Sequence, residues 1–108
     1  MQKLTPNLSN GAFMLRIRWL KKALKNLEDA YNYLYLDSPS VALRFVEEVH
    51  DQTKLLITNP AMGRPGRVTG TRELVVAHFP YVIPYRLRGE EIHILRVFNT
   101  NQKPPIAW

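Results

Sequence analysis

The chain has 108 residues, 45% of them hydrophobic and 22% charged, which suits one folded domain with a modest core. It contains no cysteine, which excludes a disulfide scaffold, a cysteine-based zinc or iron–sulfur site and a thiol nucleophile. Fifteen Lys and Arg against nine Asp and Glu leave a net charge of +6, which on charge alone reads equally as a solubilising surface or as a match for an acidic partner, either nucleic acid or an acidic protein segment.

No run approaches ~18 consecutive apolar residues, the length that a membrane span requires. Residues 1–13 carry only Lys3 and no apolar stretch of the secretory type. They are expected to form a flexible lead-in to a single domain over 14–108, in a cytoplasmic protein, with Met1 and Met14 as alternative starts. Met14 to Trp19 alternates, with Leu15, Ile17 and Trp19 on one side and Arg16 and Arg18 on the other. That pattern predicts a half-buried strand.

Leu20, Ala23, Leu24, Leu27, Tyr31 and Leu34 recur at spacings of three and four, which predicts an amphipathic helix ending near Asp37. Ser38-Pro39 then starts a second helix: the serine is a good N-cap, and proline at the first helical position loses no hydrogen bond. Ala42, Phe45, Val46, Val49 and Leu56 form its stripe, and Asn59-Pro60 ends it. So short a connection makes an antiparallel hairpin.

Residues 61–70, AMGRPGRVTG, read as a loop displaying Arg64 and Arg67. Three strands follow, over 72–78, 81–87 and 91–98, with turns at Phe79-Pro80 and Arg88-Gly89-Glu90. In the last of them Ile92, Ile94 and Arg96 are expected on one side, and His93, Leu95 and Val97 on the other. Pro84 cannot donate to a ladder, so it requires a bulge or a neighbour that needs no donor there. The fold class is α+β: two layers in the order βααβββ, an antiparallel sheet with a helical hairpin on one face. Much of the arginine of the basic C-terminal half should lie on the other face or the adjoining loop, while the patterning leaves open whether Arg72 and Arg86 take the open face or an edge.

The pattern as a whole resembles the RelE/ParE superfamily of bacterial toxins. The resemblance is carried by Gly63-Arg64-Pro65-Gly66-Arg67-Val68 with Gly70-Thr71-Arg72-Glu73-Leu74-Val75, and by Ile94-Leu95-Arg96-Val97, and it covers residues 14–108. It implies the toxin of a type II toxin–antitoxin pair, restrained by a cognate acidic antitoxin. RelE-like relatives cut messenger RNA in the ribosome, whereas ParE-like relatives poison DNA gyrase. A non-toxic basic adaptor is a third reading.

RNA cleavage needs a group to activate the ribose hydroxyl, charge stabilisation at the phosphate and a proton for the leaving oxygen. Arg64, Arg67, Arg72, Arg86, Arg96 and Lys103 are the candidate target-binding cations, and Arg72, Arg86, Arg96, Tyr85 and Asn99 the candidate catalytic residues. His50, His78 and His93 read better as structural or solvated side chains. Many relatives carry histidine where this chain has Asn99, and an amide cannot exchange protons at neutral pH. The chain also ends at Trp108, before the tail helix of some nuclease relatives. The depleted acid–base set favours the gyrase branch.

The expected antitoxin is a disordered segment that folds on binding, a helix across the hairpin with an added edge strand. Tyr33, Tyr35, Leu36 and Arg96 are its candidate contacts, and Arg72, Arg86 and Arg96 would pair with its carboxylates. No spacing suggests a metal site or a phosphate-binding glycine loop before a helix, so no cofactor is expected.

Overall fold

The computed structural model describes residues 15–108, so the expected lead-in over 1–13 lies outside the described residues. Strand β1, Arg16–Trp19, leads into helix α1, Lys21–Asp37, and helix α2, Pro39–Lys54, which tightens into one 3₁₀ turn at Leu55–Ile57. The sheet is then completed by β2, Arg64–Pro65; β3, Arg72–Val75; β4, Tyr81–Arg88; β5, Glu91–Ile94; and β6, Phe98–Asn99.

The helix break forms as its residues dictate. Ser38 Oγ accepts from the Val41 amide at 3.3 Å, while Ser38 N–H closes α1 on Leu34 O, so one residue serves both helix ends. Along α1 the seam that packs inward is Ala23, Leu27, Ala30 and Leu34, and Leu24 lies half exposed at its edge. Alanines at two of these places bring the helix close to its neighbours. Phe45 and Val49 of α2 and Leu56 of the 3₁₀ turn meet Leu74, Ile83, Tyr85, Ile92 and Ile94 of the sheet, each fully or nearly fully buried. The buried Thr53 hydroxyl donates to Val49 O at 2.9 Å, so the polar group carries no penalty there.

The strands lie in the order β1-β5-β4-β3-β2, with β6 pairing to β4 beyond the end of β5. β3, β4 and β5 form the expected antiparallel meander. β1, however, runs parallel to β5, which makes the sheet mixed. Alternation fixes which side chains face inward but not the direction of the neighbouring strand. The short β2, lying in the expected loop, pairs Arg64 with Glu73. The β4–β5 connection is Gly89-Glu90, with Gly89 at φ +59°, the backbone that a two-residue hairpin of this kind demands at its first position. Strand β3 stops at Val75, and the chain turns through His78 at φ +68°.

Pro84 meets a bulge. Tyr85 pairs with Ile94 and Val82 pairs with Phe98, so Leu95, Arg96 and Val97 span what Ile83 and Pro84 cover on β4. Pro84 O accepts from Leu95 N at 2.9 Å, and Val97 N turns away to Asn26 Oδ1 of α1. The extra residue reverses the alternation. Val97 therefore joins the core cluster with Ile92 and Ile94, and Arg96 is turned to the opposite face, correcting the expected register.

Candidate functional site: the sheet face away from the helices

Cross-strand partners point to the same side of a sheet. Arg16 and Arg18 of β1, Glu91 and His93 of β5, Arg86 and Arg88 of β4, Glu73 of β3 and Arg64 of β2 therefore share the face opposite the helices. Two carboxylates organise it. Glu91 lies 3.8 Å from both Arg16 Nη2 and Arg18 Nη1 and accepts from His93 Nε2 at 2.9 Å. That hydrogen bond, helped by the two arginines, holds the Glu91 carboxyl below the usual range. Glu73, only 7% exposed, accepts from Arg64 Nη2 at 3.1 Å and from the Arg67 amide at 3.0 Å. It thereby clamps the GRPGR loop to the sheet.

The last residues cross this face as a strap. Arg67 Nη1 donates to Ile106 O at 3.3 Å, and its guanidinium carbon lies 4.7 Å from the centroid of the Trp108 ring. Arg96 Nε donates to Trp108 O at 3.0 Å, and Phe98 packs against the indole at 5.5 Å between centroids. Arg67 and Arg96 thus hold the strap from two sides.

Three hollows flank this arrangement. One, of about 620 Å³, lies between the start of α1, β4 and the strap, and is lined by Lys21, Lys22, Arg86, Arg88, Leu95 and Trp108 among others. A smaller one of about 210 Å³ holds Arg72 and Arg86 together. The third, of about 560 Å³, joins Tyr33 and Asp29 of α1 to Tyr81, Arg96 and Asn99.

The expected target-binding cations consequently do not share one concavity. Arg64 and Arg67 belong to the Glu73 clamp and the strap, Arg86 to the first hollow, and Arg96 to the third; Lys103 is exposed on the strap approach. Arg72 pairs with Tyr85, on the helix side, where its Nη1 donates to Gly63 O at 2.7 Å and to Ala61 O at 3.3 Å. Periodicity alone left the face of Arg72 open, and the register decides it: β3 enters the ladder with Glu73, not Arg72, facing outward. Tyr85 is 1% exposed, and its hydroxyl accepts from Gly63 N–H at 2.9 Å and donates to Pro60 O at 2.7 Å. That closes it to base stacking.

His50 and His78 are solvent-exposed beside Asp51 and Glu48, and Asn99 meets Tyr81 through its side chain. Tyr33, Tyr35 and Leu36 stand 67%, 48% and 87% exposed toward the end of α1. Sequence reasoning passed over Lys21, Lys22, Arg88 and Trp108. The β1 alternation did place Arg16 and Arg18 outward, whereas nothing in the order of residues signals where a terminal tryptophan docks. Among the described residues no group of three His, Asp or Glu side chains is placed to hold a metal ion, and no helix is long and apolar enough to cross a membrane.

Comparison with known proteins matches this architecture closely. The family model of the ParE toxin of the type II toxin–antitoxin system parDE matches residues 17–104. Y4kP of Sinorhizobium fredii, a protein named as a toxin, is 42% identical over 90 residues, covering 83% of this chain and 93% of the relative. A solved structure described as the chromosomal ParDE TA system from P. aeruginosa superposes with a TM-score of 0.72 at 36% identity, covering 81% of this chain and 97% of that one. Such membership brings a cognate antitoxin with it as partner. By sequence and by fold, the chain belongs to the ParE toxin family of type II toxin–antitoxin systems.

Proposed function

We propose that the chain, as a single domain over 14–108, arrests growth from the cytoplasm by binding DNA gyrase, and that it does so without cutting RNA. The observation that carries this reading is that, among the described residues, no well-exposed histidine or tyrosine stands among the cations of the sheet face. His93, the histidine on that face, has a side chain only 15% exposed and bonded to Glu91, Tyr85 is buried, and Asn99 is an amide. Arginines without a general base suit recognition better than phosphodiester cleavage.

Restraint is assigned to the antitoxin. An amphipathic segment laid along the exposed Tyr33, Tyr35 and Leu36 would bury apolar area, and an acidic residue would reach Arg96 across the hollow that Arg96 shares with Tyr33. Induction without antitoxin is expected to produce filamentation, DNA breaks and an SOS response while messages stay intact. The purified chain is expected to block supercoiling by gyrase. Messages cut at the ribosomal A site within minutes of induction, with supercoiling untouched, would establish the RNA-cleaving reading instead. A folded chain that leaves growth unchanged would establish the adaptor.

A further inference from the structure

The hollow of about 620 Å³ beside the start of α1 gathers cations without acids. Lys21, Lys22, Arg86 and Arg88 line it, and none of the nine Asp and Glu side chains lies within ion-pair distance of any of them. By contrast Arg16, Arg18, Lys25 and Arg64 each have a carboxylate partner. Like charges brought together in this way repel, and an anion between them relieves the repulsion.

Two further observations converge on the same place. Arg86 Nε and Trp108 Nε1 are shut off from solvent and have no acceptor, and both side chains line the hollow. Buried donors without acceptors are costly and uncommon in native proteins. In addition, α1 is preceded by Leu20 as N-cap, with no side-chain capping bond, and has no acidic residue in its first turn, where two lysines stand instead. The positive end of the helix dipole thus adds to the local field instead of being offset. The floor is apolar, formed by Leu20, Val68, Leu87 and Leu95, with Leu87 51% exposed.

We propose that this cleft takes an acidic, extended segment of a partner protein, with carboxylates on Arg86, Arg88 and Lys22 and an aliphatic side chain on Leu87 and Leu95. The mixed lining favours peptide over nucleic acid. The only aromatic ring at the cleft, Trp108, is already packed by Arg67 and Phe98, so no stacking platform is left for bases. The segment is assigned to the target: the hollow of Tyr33 and Arg96, where the antitoxin is placed above, shares no lining residue with this cleft, and Arg86 is here moved from the antitoxin's expected contacts to the target's. In that assignment the inference rests on the toxin reading above.

The test is an NMR titration of the isotope-labelled chain with a short blocked peptide alternating Glu and Leu, and separately with single-stranded oligo-dT. The peptide is expected to shift the Trp108 indole N–H and the Arg86 Nε–H while leaving the Trp19 indole in place. The Lys22→Glu, Arg88→Glu double variant is expected to weaken the peptide at least about tenfold, with Lys22→Gln, Arg88→Gln intermediate. No shift, shifts undiminished in the variants, or oligo-dT acting at lower concentration than the peptide would each overturn the proposal. Wild-type chain that fails to slow growth defeats the toxin reading and not the cleft, whereas a silent titration defeats the cleft and not the toxin reading.

Discussion

The Tyr85 hydroxyl and the Gly63 backbone amide are hydrogen-bonded at 2.9 Å, and the same hydroxyl donates to Pro60 O at 2.7 Å. One core phenol therefore ties the 60–63 loop to the middle of the sheet. A Cβ on Gly63 would meet Tyr85 Cε1 and Oη at 2.7 Å, so the loop lies against the ring with no room for a side chain. Tyr85→Phe is expected to cost about 1–3 kcal/mol by leaving buried groups unpaired. Gly63→Ala should cost a similar amount, about 1–3 kcal/mol, through overpacking. Urea unfolding with an unchanged m-value checks both.

Glu73 clamps the loop that displays Arg64 and Arg67. Glu73→Gln keeps the shape but removes the charge, and replaces an acceptor oxygen with a donor that cannot serve both Arg64 and the Arg67 amide. The expected loss is about 1–3 kcal/mol. Faster amide exchange at Arg67 than at β4 would place the loosening in the loop. Equal exchange at both would contradict the clamp.

Stability is expected to fall at both ends of the pH scale. The Glu91 carboxyl is held below its usual range chiefly by His93, so its contribution is present above the unfolded carboxyl pKa and fades as pH drops through the folded one. Tyr81 and Tyr85 are pushed up, chiefly by burial. Their contribution is complete below the unfolded phenol pKa and is lost as pH rises through the raised folded values. Phenolate absorbance should therefore show late-titrating tyrosines that appear together with alkaline unfolding, and Tyr85→Phe should remove part of that late signal.

Ser38 is the sole side-chain cap at the helix junction, accepting from Val41 N at 3.3 Å. Ser38→Ala is expected to lower stability by about 1 kcal/mol, read as a lower denaturant midpoint. Ser38→Gly should cost only a few tenths of that.

Arg96→Glu is expected to weaken toxicity and antitoxin binding together, because the side chain lines the hollow that contains Tyr33 and also holds the strap. Growth curves and calorimetric titration with the antitoxin separate the two effects. Unchanged antitoxin affinity with toxicity abolished would show that masking does not act through this arginine. Leu36→Asp, at an 87% exposed site, should weaken the antitoxin while leaving the fold intact.

The helical hairpin was legible because Ser38-Pro39 carries its own stop and start, and the apolar spacing of three and four leaves little choice of face. The meander was legible from Gly89 and from alternation, and Pro84 announced the bulge. The parallel pairing of β1 was not, since period-two patterning is the same for either direction. Arg96 was misplaced, and the face of Arg72 stayed illegible, for a single physical reason: a shift of one residue exchanges the faces of a strand. The Trp108 strap and the Lys21–Arg88 cleft lie in tertiary contacts between distant segments, where no local spacing records them.

The surplus residue between Ile94 and Phe98 makes backbone length, not side-chain chemistry, the determinant of where Arg96 points. Exchanging Leu95 for another aliphatic would leave the guanidinium aimed outward, but deleting either Leu95 or Arg96 would drop the chain back into step with β4. The seam where the strap is anchored is thus tolerant of spelling and intolerant of punctuation.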